Sequence, residues 1–212
     1  MRYLFATNNP GKIKEIKTIF EAIGLEVITL SDLGLSFEPD EDGDTFEENA
    51  MQKAVETADF LFDNGFDDIA VLADDSGLCI TALGGEPGVD SANFMGRETP
   101  YEVRNAHIVS ELANAADRSA QFVCVIACAF PNGVLLTTKG EVIGEIAAKP
   151  DGVSGFGYDP IFFLPEKAKT MAQLSASEKN EISHRGTALA LMLEALKDEK
   201  YNEAITDEDF ID

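Results

Sequence analysis

An α/β fold built on a mixed sheet is what this 212-residue sequence predicts, and three observations predict it. Strand-like and helix-like segments alternate through the first half, the order expected of crossover connections. In the second half, two long apolar runs flank Pro131-Asn132-Gly133, which reads as a hairpin. No internal repeat or linker interrupts the chain, and 45% hydrophobic residues supply a substantial core for one large domain or two intimately packed lobes.

Each element has its own signal. RYLFAT is a short apolar strand that ends in the loop residues NNPG. KIKEIKTIFEAIG places Ile13, Ile16, Ile19, Phe20 and Ile23 on one helical face, and Gly24 stops it. LEVITL reads as the second strand. The acidic loop SFEPDEDGD leads to Thr45, which forms a capping box with Glu48. That box opens an amphipathic helix, FEENAMQKAVETADFLFDNG, ending at Asn64-Gly65. IAVLA is the third strand and leads into Asp74 and Asp75; a loop-rich stretch, GLCITALGGEPGVDSANFMG, follows. TPYEVRNAHIVSELANAA is helical, QFVCVIACAF and VLLTTKGEVIGEIA are the hairpin strands, and DGVSGFGYDP is a glycine-rich loop. IFFL is a short strand and ISHRGTALALMLEALKDE a final helix. YNEAITDEDFID has no helical periodicity and reads as a solvated, partly mobile acidic tail.

Composition excludes several classes. Sixteen Lys and Arg face 39 Asp and Glu, a net charge of -23. That field repels nucleic acid and anionic membrane surfaces, but leaves room for a small anion held by a local group of lysines. No apolar run is long enough to span a bilayer, and the N-terminal MRYLFATNNPGK lacks the form of a signal peptide, so the cytoplasm is expected. Three cysteines fit a reducing compartment. Cys124 and Cys128 sit four apart on a strand, roughly 13 Å, too far for a disulfide. With Cys79 they read as small core residues.

Six features carry chemistry. ATNNPGK joins a strand to a helix, and such a loop either presents backbone amides and Lys12 to an anion or simply turns the chain. In LADDSG, neighbouring strand residues point to opposite faces, so Asp74 and Asp75 do not share one ligand. One is a site carboxylate at a strand end, holding a hard cation, with the other as support; an Asp-Ser-Gly turn is the alternative. Glu38, Asp40, Glu41, Asp42 and Asp44 crowd the loop before the second helix and offer a second carboxylate, none singled out locally. Lys53, the helix's lone basic residue, marks a nearby anion or is a surface lysine. GVSGFGYDP suits a flat heterocycle or an ordinary glycine turn, and EKNEISHRG groups the donors Lys179, His184 and Arg185, of which His184 reads equally as a helix-entry residue.

Taken in order, ATNNPGK, FEENAMQKA, LADDSGL with LGGEPGVDSA, GFGYDPIFF and EKNEISHRG resemble the inosine/xanthosine triphosphate pyrophosphatase family, from residue 2 to about 196. The resemblance implies an elongated, two-lobed, mixed-sheet α/β fold with a central cleft, as a single catalytic domain over 1–196 with 197–212 as tail. It implies a homodimer that hydrolyses deaminated purine triphosphates (ITP, dITP, XTP) to monophosphate and pyrophosphate, with Mg²⁺ as cofactor. It assigns substrate binding to Thr7, Asn8, Asn9, Pro10, Gly11 and Lys12, to Lys53 at the phosphates, and to Ser76. Asp75 becomes the acid-base residue and a metal ligand, with Glu41 the second ligand, counted back from Glu48-Asn49. Phe156, Gly157, Tyr158 and Asp159 line the base pocket with Lys179, His184 and Arg185. Asn8 departs from a common glycine, which matters only if that backbone needs positive φ. A nucleotide-binding sensor without turnover is the alternative, which the intact Lys12, Lys53, Asp75 and Lys179 oppose. A related fold acting on modified pyrimidine or methylated nucleotides is disfavoured by SHRG and GFGYD.

Overall fold

The computed structural model describes residues 2–22 and 25–197. Strand β1 (Arg2–Phe5) leads into helix α1 (Pro10–Ala22), whose Ile16 and Phe20 lie one turn apart and are buried. Ile23 and Gly24, expected to close that helix, lie outside the described residues, as do residues 198–212 of the expected tail. Strand β2 (Val27–Ile28) is shorter than LEVITL promised. Asp32 Oδ2 accepts from Thr29 N and Thr29 Oγ1, both at 2.8 Å, which caps a 3₁₀ turn at Leu30–Leu33 and draws the chain out of the sheet. Helix α2 (Phe46–Asp63) starts where expected, with Thr45 Oγ1 accepting from Glu48 N at 3.1 Å.

Strand β3 (Ile69–Ile80) corrects an expectation, because it does not stop at the aspartates. Leu78 and Ile80 are fully buried, and Leu78 N donates to Ser91 Oγ at 2.9 Å while Cys79 bridges to Pro87. Partners from a later segment therefore keep the chain extended through what read as a loop. Helix α3 (Tyr101–Glu111), strands β4 (Ser119–Ala129) and β5 (Leu135–Ile146), strand β6 (Phe162–Leu164) and a short β7 (Lys169–Thr170) follow. The hairpin turn forms at the expected place, with Phe130 N donating to Val134 O and Gly133 N to Phe130 O, both at 2.9 Å. The seven strands hydrogen-bond in the order β2-β1-β3-β4-β5-β6-β7.

The expected final helix is α5 (His184–Ala195), and a further helix that the sequence reading did not anticipate, α4 (Ala176–Ile182), precedes it. Ser183 is extended at ψ 154, and its Oγ accepts from Gly186 N at 3.0 Å, so it ends one helix and caps the next. Gly186 is required at this break, since a side chain there would collide with the carbonyl of Asn180. No described helix is long and apolar enough to cross a membrane.

The chain forms two compact units, one of residues up to Asp75 with Val125–Thr138 and the segment from Ala188, the other of Ser76–Cys124 and Lys139–Thr187. In the first, β1 pairs in parallel with β2 and β3, Leu4 lying beside Val71. Leu4, Val71 and Ala73 share one face with Val125 and Ala127, and Ala50, Ala54 and Leu61 of α2 pack against it. On the other face Tyr3 meets Phe20 of α1 edge-on, 6.4 Å between ring centres. Helices α1 and α2 thus cover opposite faces of these strands. In the second unit, Leu78, Ile80, Ile108, Phe122, Tyr158 and Phe162 form the core, with Phe122 and Phe162 stacked at 4.3 Å. Here β5, β6 and β7 pair antiparallel.

Candidate active site

Strand alternation sorts the two aspartates. Asp75 lies on the face of Val71 and Ala73 and so meets α2; Asp74 lies on the opposite face and meets α1. Lys53 Nζ stands 3.1 Å from Asp75 Oδ1, and Asn49 Nδ2 donates to Asp75 Oδ2 at 3.2 Å. Lys12 Nζ pairs with Asp74 Oδ1 at 3.0 Å. Lys53 is no surface lysine, being 4% exposed, and its ammonium reaches a third carboxylate, Glu41 Oε1, at 3.1 Å. Of the five acids in the 38–44 loop, Glu41 is the one so placed. The loop is held there by Glu56, which accepts from Asp40 N at 2.9 Å, and by Asn49 Oδ1, which accepts from Gly43 N at 2.8 Å.

Three carboxylates here face two ammonium groups. Burial is the largest influence on Asp75 and pushes its pKa up, with Lys53, Lys12 and Asn49 opposing. For Lys53 burial is again the largest single influence, and lowers its pKa. Asp75, Asp74 and Glu41 together outweigh it, and Lys53 stays firmly charged. Glu41 and Asp75 already converge on one cation, the ammonium of Lys53, and offer only oxygen donors. Among the described residues no three His, Cys, Asp or Glu side chains form a complete metal cage. Two carboxylates without a cage fit Mg²⁺, which keeps waters and phosphates in its shell.

The ATNNPGK loop differs from expectation in detail. Asn9 Oδ1 accepts from Gly11 N at 2.9 Å and Lys12 N at 3.2 Å, and Thr7 Oγ1 accepts from Asn9 N at 3.2 Å. These amides cap α1 internally, so the positive charge the loop offers comes from Lys12. Asn8 and Pro10 are exposed, and Asn8 needs no positive φ.

The second unit carries its own cluster. Gly155 (φ +77) turns the chain so tightly that any side chain there would collide with Asp159 Oδ2. That carboxylate is the loop's anchor, accepting from Phe156 N at 2.7 Å and from Lys179 Nζ at 2.6 Å. Lys179 Nζ lies 4.8 Å and Arg185 Cζ 5.6 Å from the centre of the Phe156 ring. Arg185 Nη2 donates to Ser76 Oγ at 2.9 Å. His184 opens α5 and stacks on Phe122 at 4.7 Å, so it is a buried packed ring as well as a potential donor. Tyr158 presents no free hydroxyl, because its OH donates to Ser91 O at 2.8 Å, and burial pushes its pKa up to about 12. Lys179, His184 and Arg185 are all buried. Buried cations over an aromatic ring suit an electron-rich, oxygen-bearing ligand.

Three supporting residues escaped sequence reading. Asn49 uses both ends of its amide, on Asp75 and on Gly43. Asn105 Nδ2 holds Gly157 O at 3.1 Å. Arg104, 1% exposed, donates to the carbonyls of Ser91, Ala92, Gly96 and Arg97 and so fixes the segment on which Tyr158 rests. A signal existed: Arg104 and Asn105 interrupt the stripe of Tyr101, Ile108 and Leu112, and polar residues within an apolar stripe are buried with partners.

Known proteins match closely. The Ham1 family model covers residues 3–195. A dITP/XTP pyrophosphatase of Exiguobacterium sp. is 46% identical over 189 residues, 89% of this chain and 93% of that protein. Its counterpart in Thermus thermophilus is 44% identical, with 93% of each chain covered. The solved Ham1 protein of Staphylococcus aureus is 44% identical, covers 94% of this chain and 100% of its own, and superposes with a TM-score of 0.81. The five ordered motifs and the whole-length match agree, and this chain belongs to the Ham1 family.

Proposed function

We propose that this protein hydrolyses deaminated purine nucleoside triphosphates, ITP, dITP and XTP, to the monophosphate and pyrophosphate. Its catalytic domain would comprise residues 1–196. The observation that carries the reading is Asp75, a buried carboxylate whose two oxygens are held by Lys53 and Asn49, with Glu41 brought to the same lysine. Relatives named dITP/XTP pyrophosphatase support the substrate class.

Asp75 and Glu41 would hold Mg²⁺, which when bound offsets phosphate charge and makes a water easier to deprotonate. Water oxygen attacks the α-phosphorus, the bond to the bridging oxygen breaks, and pyrophosphate leaves with that oxygen. A carboxylate oxygen of Asp75 takes the water's proton, a role suited to a group whose burial raises its proton affinity. Lys53 and Lys12 steady the negative charge that gathers on the leaving pyrophosphate. Phe156 offers a stacking face, and Lys179 and Arg185 offer donors to an oxo base. Adenine presents a donor where hypoxanthine and xanthine present an acceptor, so a donor-lined site disfavours ATP. A homodimer in the cytoplasm completes the proposal, a setting compatible with an odd count of three cysteines.

The test is product analysis with ITP, dITP, XTP, ATP and GTP, with and without Mg²⁺. Pyrophosphate from the oxo-purine substrates, dependent on Mg²⁺ and much slower from ATP, is expected. Orthophosphate in its place would refute the assigned bond.

A further inference from the structure

The ammonium of Lys53 sits where a cation shared by Glu41 and Asp75 would sit. Its Nζ is 3.1 Å from Glu41 Oε1 and 3.1 Å from Asp75 Oδ1. Glu41 and Asp75 come from different elements, an acidic loop and a strand, and like charges so placed repel unless a cation lies between them. Lys53 is 4% exposed and Asp75 is buried, so little water screens that pair, while the half-exposed Glu41 side chain feels the same charge more weakly. A divalent ion approaching the same oxygens meets both occupied acceptors and the repulsion of a buried positive charge.

We infer that Lys53 is the placeholder of the cation site: it holds Glu41 and Asp75 together in the nucleotide-free protein and keeps free divalent cations out. The inference rests on the metal role proposed above for Glu41 and Asp75. The triphosphate changes the balance. It gives Lys53 a new anionic partner and gives the cation further oxygen ligands, so lysine and metal separate onto different oxygens. Metal and nucleotide then bind with positive coupling, each raising the other's affinity by the same factor. Asn49 keeps Asp75 and the loop at Gly43 in register during the exchange, since its two bonds involve neither Lys53 nor Glu41. A lysine that served only as a phosphate contact would leave the affinity for free metal unchanged when removed. A placeholder lysine makes the opposite prediction, that its loss raises that affinity.

The experiment measures Mn²⁺ binding directly, from the electron paramagnetic resonance signal of the free ion, with no turnover involved. Wild type, Lys53→Met, Lys53→Arg and the double variant Lys53→Met with Glu41→Gln are titrated alone and with the α,β-methylene analogue of ITP. The result expected is weak binding by nucleotide-free wild type and Lys53→Arg, and binding at least about tenfold tighter by Lys53→Met. The double variant loses that gain, and the analogue tightens Mn²⁺ binding to wild type. If Lys53→Met proves poorly folded, the coupling of Mn²⁺ and analogue in wild type tests the idea alone, since its absence overturns the exchange. Equal Mn²⁺ affinity in nucleotide-free wild type and a folded Lys53→Met overturns the placeholder while leaving the metal site standing. No Mn²⁺ binding by any protein, with or without analogue, overturns the metal site as well.

Discussion

Lys12 Nζ lies 3.0 Å from Oδ1 of Asp74, a carboxylate with no exposed side-chain surface, while its neighbour Asp75 turns to Lys53 on the other side of the strand. Two adjacent acids therefore have different partners, one at the start of α1 and one at the proposed reacting centre. Asp74→Asn should cost about 1–3 kcal/mol of stability, because it leaves a mostly buried ammonium without its counter-charge. Its effect on turnover should be the smaller of the two. Asp75→Asn should abolish turnover in a folded protein. Denaturant melts and kcat for both variants check the asymmetry; equal losses of kcat with unchanged melts would contradict it.

The charge state of Asp75 gives a stability prediction with a definite sign. Burial raises its folded pKa above the ordinary value of 3.8, so the folded protein holds a proton that the unfolded chain has released. The stability contributed by that proton is fully present below the unfolded pKa and is lost as pH rises through the folded one. Asparagine mimics the protonated form at every pH. In protein stripped of divalent cations, Asp75→Asn should therefore gain stability relative to wild type as pH rises from about 4 to about 8. Thermal melts of the two proteins in chelator, across that range, measure it. A gap that narrows with rising pH would show that Lys53 and Asn49 over-compensate the burial.

Much of this arrangement was legible in the sequence, and the residues that were not share a cause. Alternation alone put Asp74 and Asp75 on opposite faces, and Thr45 with Glu48 fixed where α2 begins. The break before α5 was also readable, as Ser183 ahead of His-Arg-Gly is a cap, yet the apolar run after it dominates the pattern. The depth of Lys53 was readable too. Positions 49, 50, 53, 54, 57 and 61 form one buried stripe, in which Lys53 falls between Ala50 and Ala54. The extension of β3 past Asp75 was not, because its partners Ser91 and Pro87 come from a segment with no strand signal. Choosing Glu41 from five nearby acids likewise needed the family resemblance, since bonds to Glu56 and Asn49 place that loop and no local pattern announces them.

Gly155 offers a test of the second cluster that replaces no charged group. Its φ of +77 already costs a side-chain-bearing residue about 1–2 kcal/mol, and a Cβ would also strike Asp159 Oδ2. Asp159 would have to move, and with it the bonds to Phe156 N and Lys179 Nζ. Gly155→Ala should lower stability by about 2–3 kcal/mol and raise KM for ITP more than it lowers kcat. Melting curves and steady-state kinetics check this. A normal KM with reduced stability would mean that the loop's geometry serves folding and not the substrate.

Choice of base is the most demanding property proposed, and Arg185 is its best single test. Its guanidinium donates to Ser76 Oγ at 2.9 Å and lies 5.6 Å from the centre of Phe156, buried at 2% exposure. The guanidinium of Arg185 carries five N–H donors in a fixed fork. An oxo group at position 6 of the base would accept one of them, whereas the amino group of adenine brings another donor. A site built to hydrogen-bond an oxo group can discriminate by about 10⁴-fold against a ligand that cannot accept. Arg185→Ala should therefore reduce kcat/KM for ITP heavily and for ATP much less, collapsing the ratio between them. Ser76→Ala separates positioning from base reading: it removes one bond that orients Arg185 but keeps the guanidinium, so the ratio should fall only part of the way. Measuring kcat/KM for ITP and ATP in wild type and both variants decides the matter. If Arg185→Ala slows both substrates in proportion, Arg185 serves the phosphates or the fold, and Lys179, His184 or the backbone amides of the 155–159 loop must read the base.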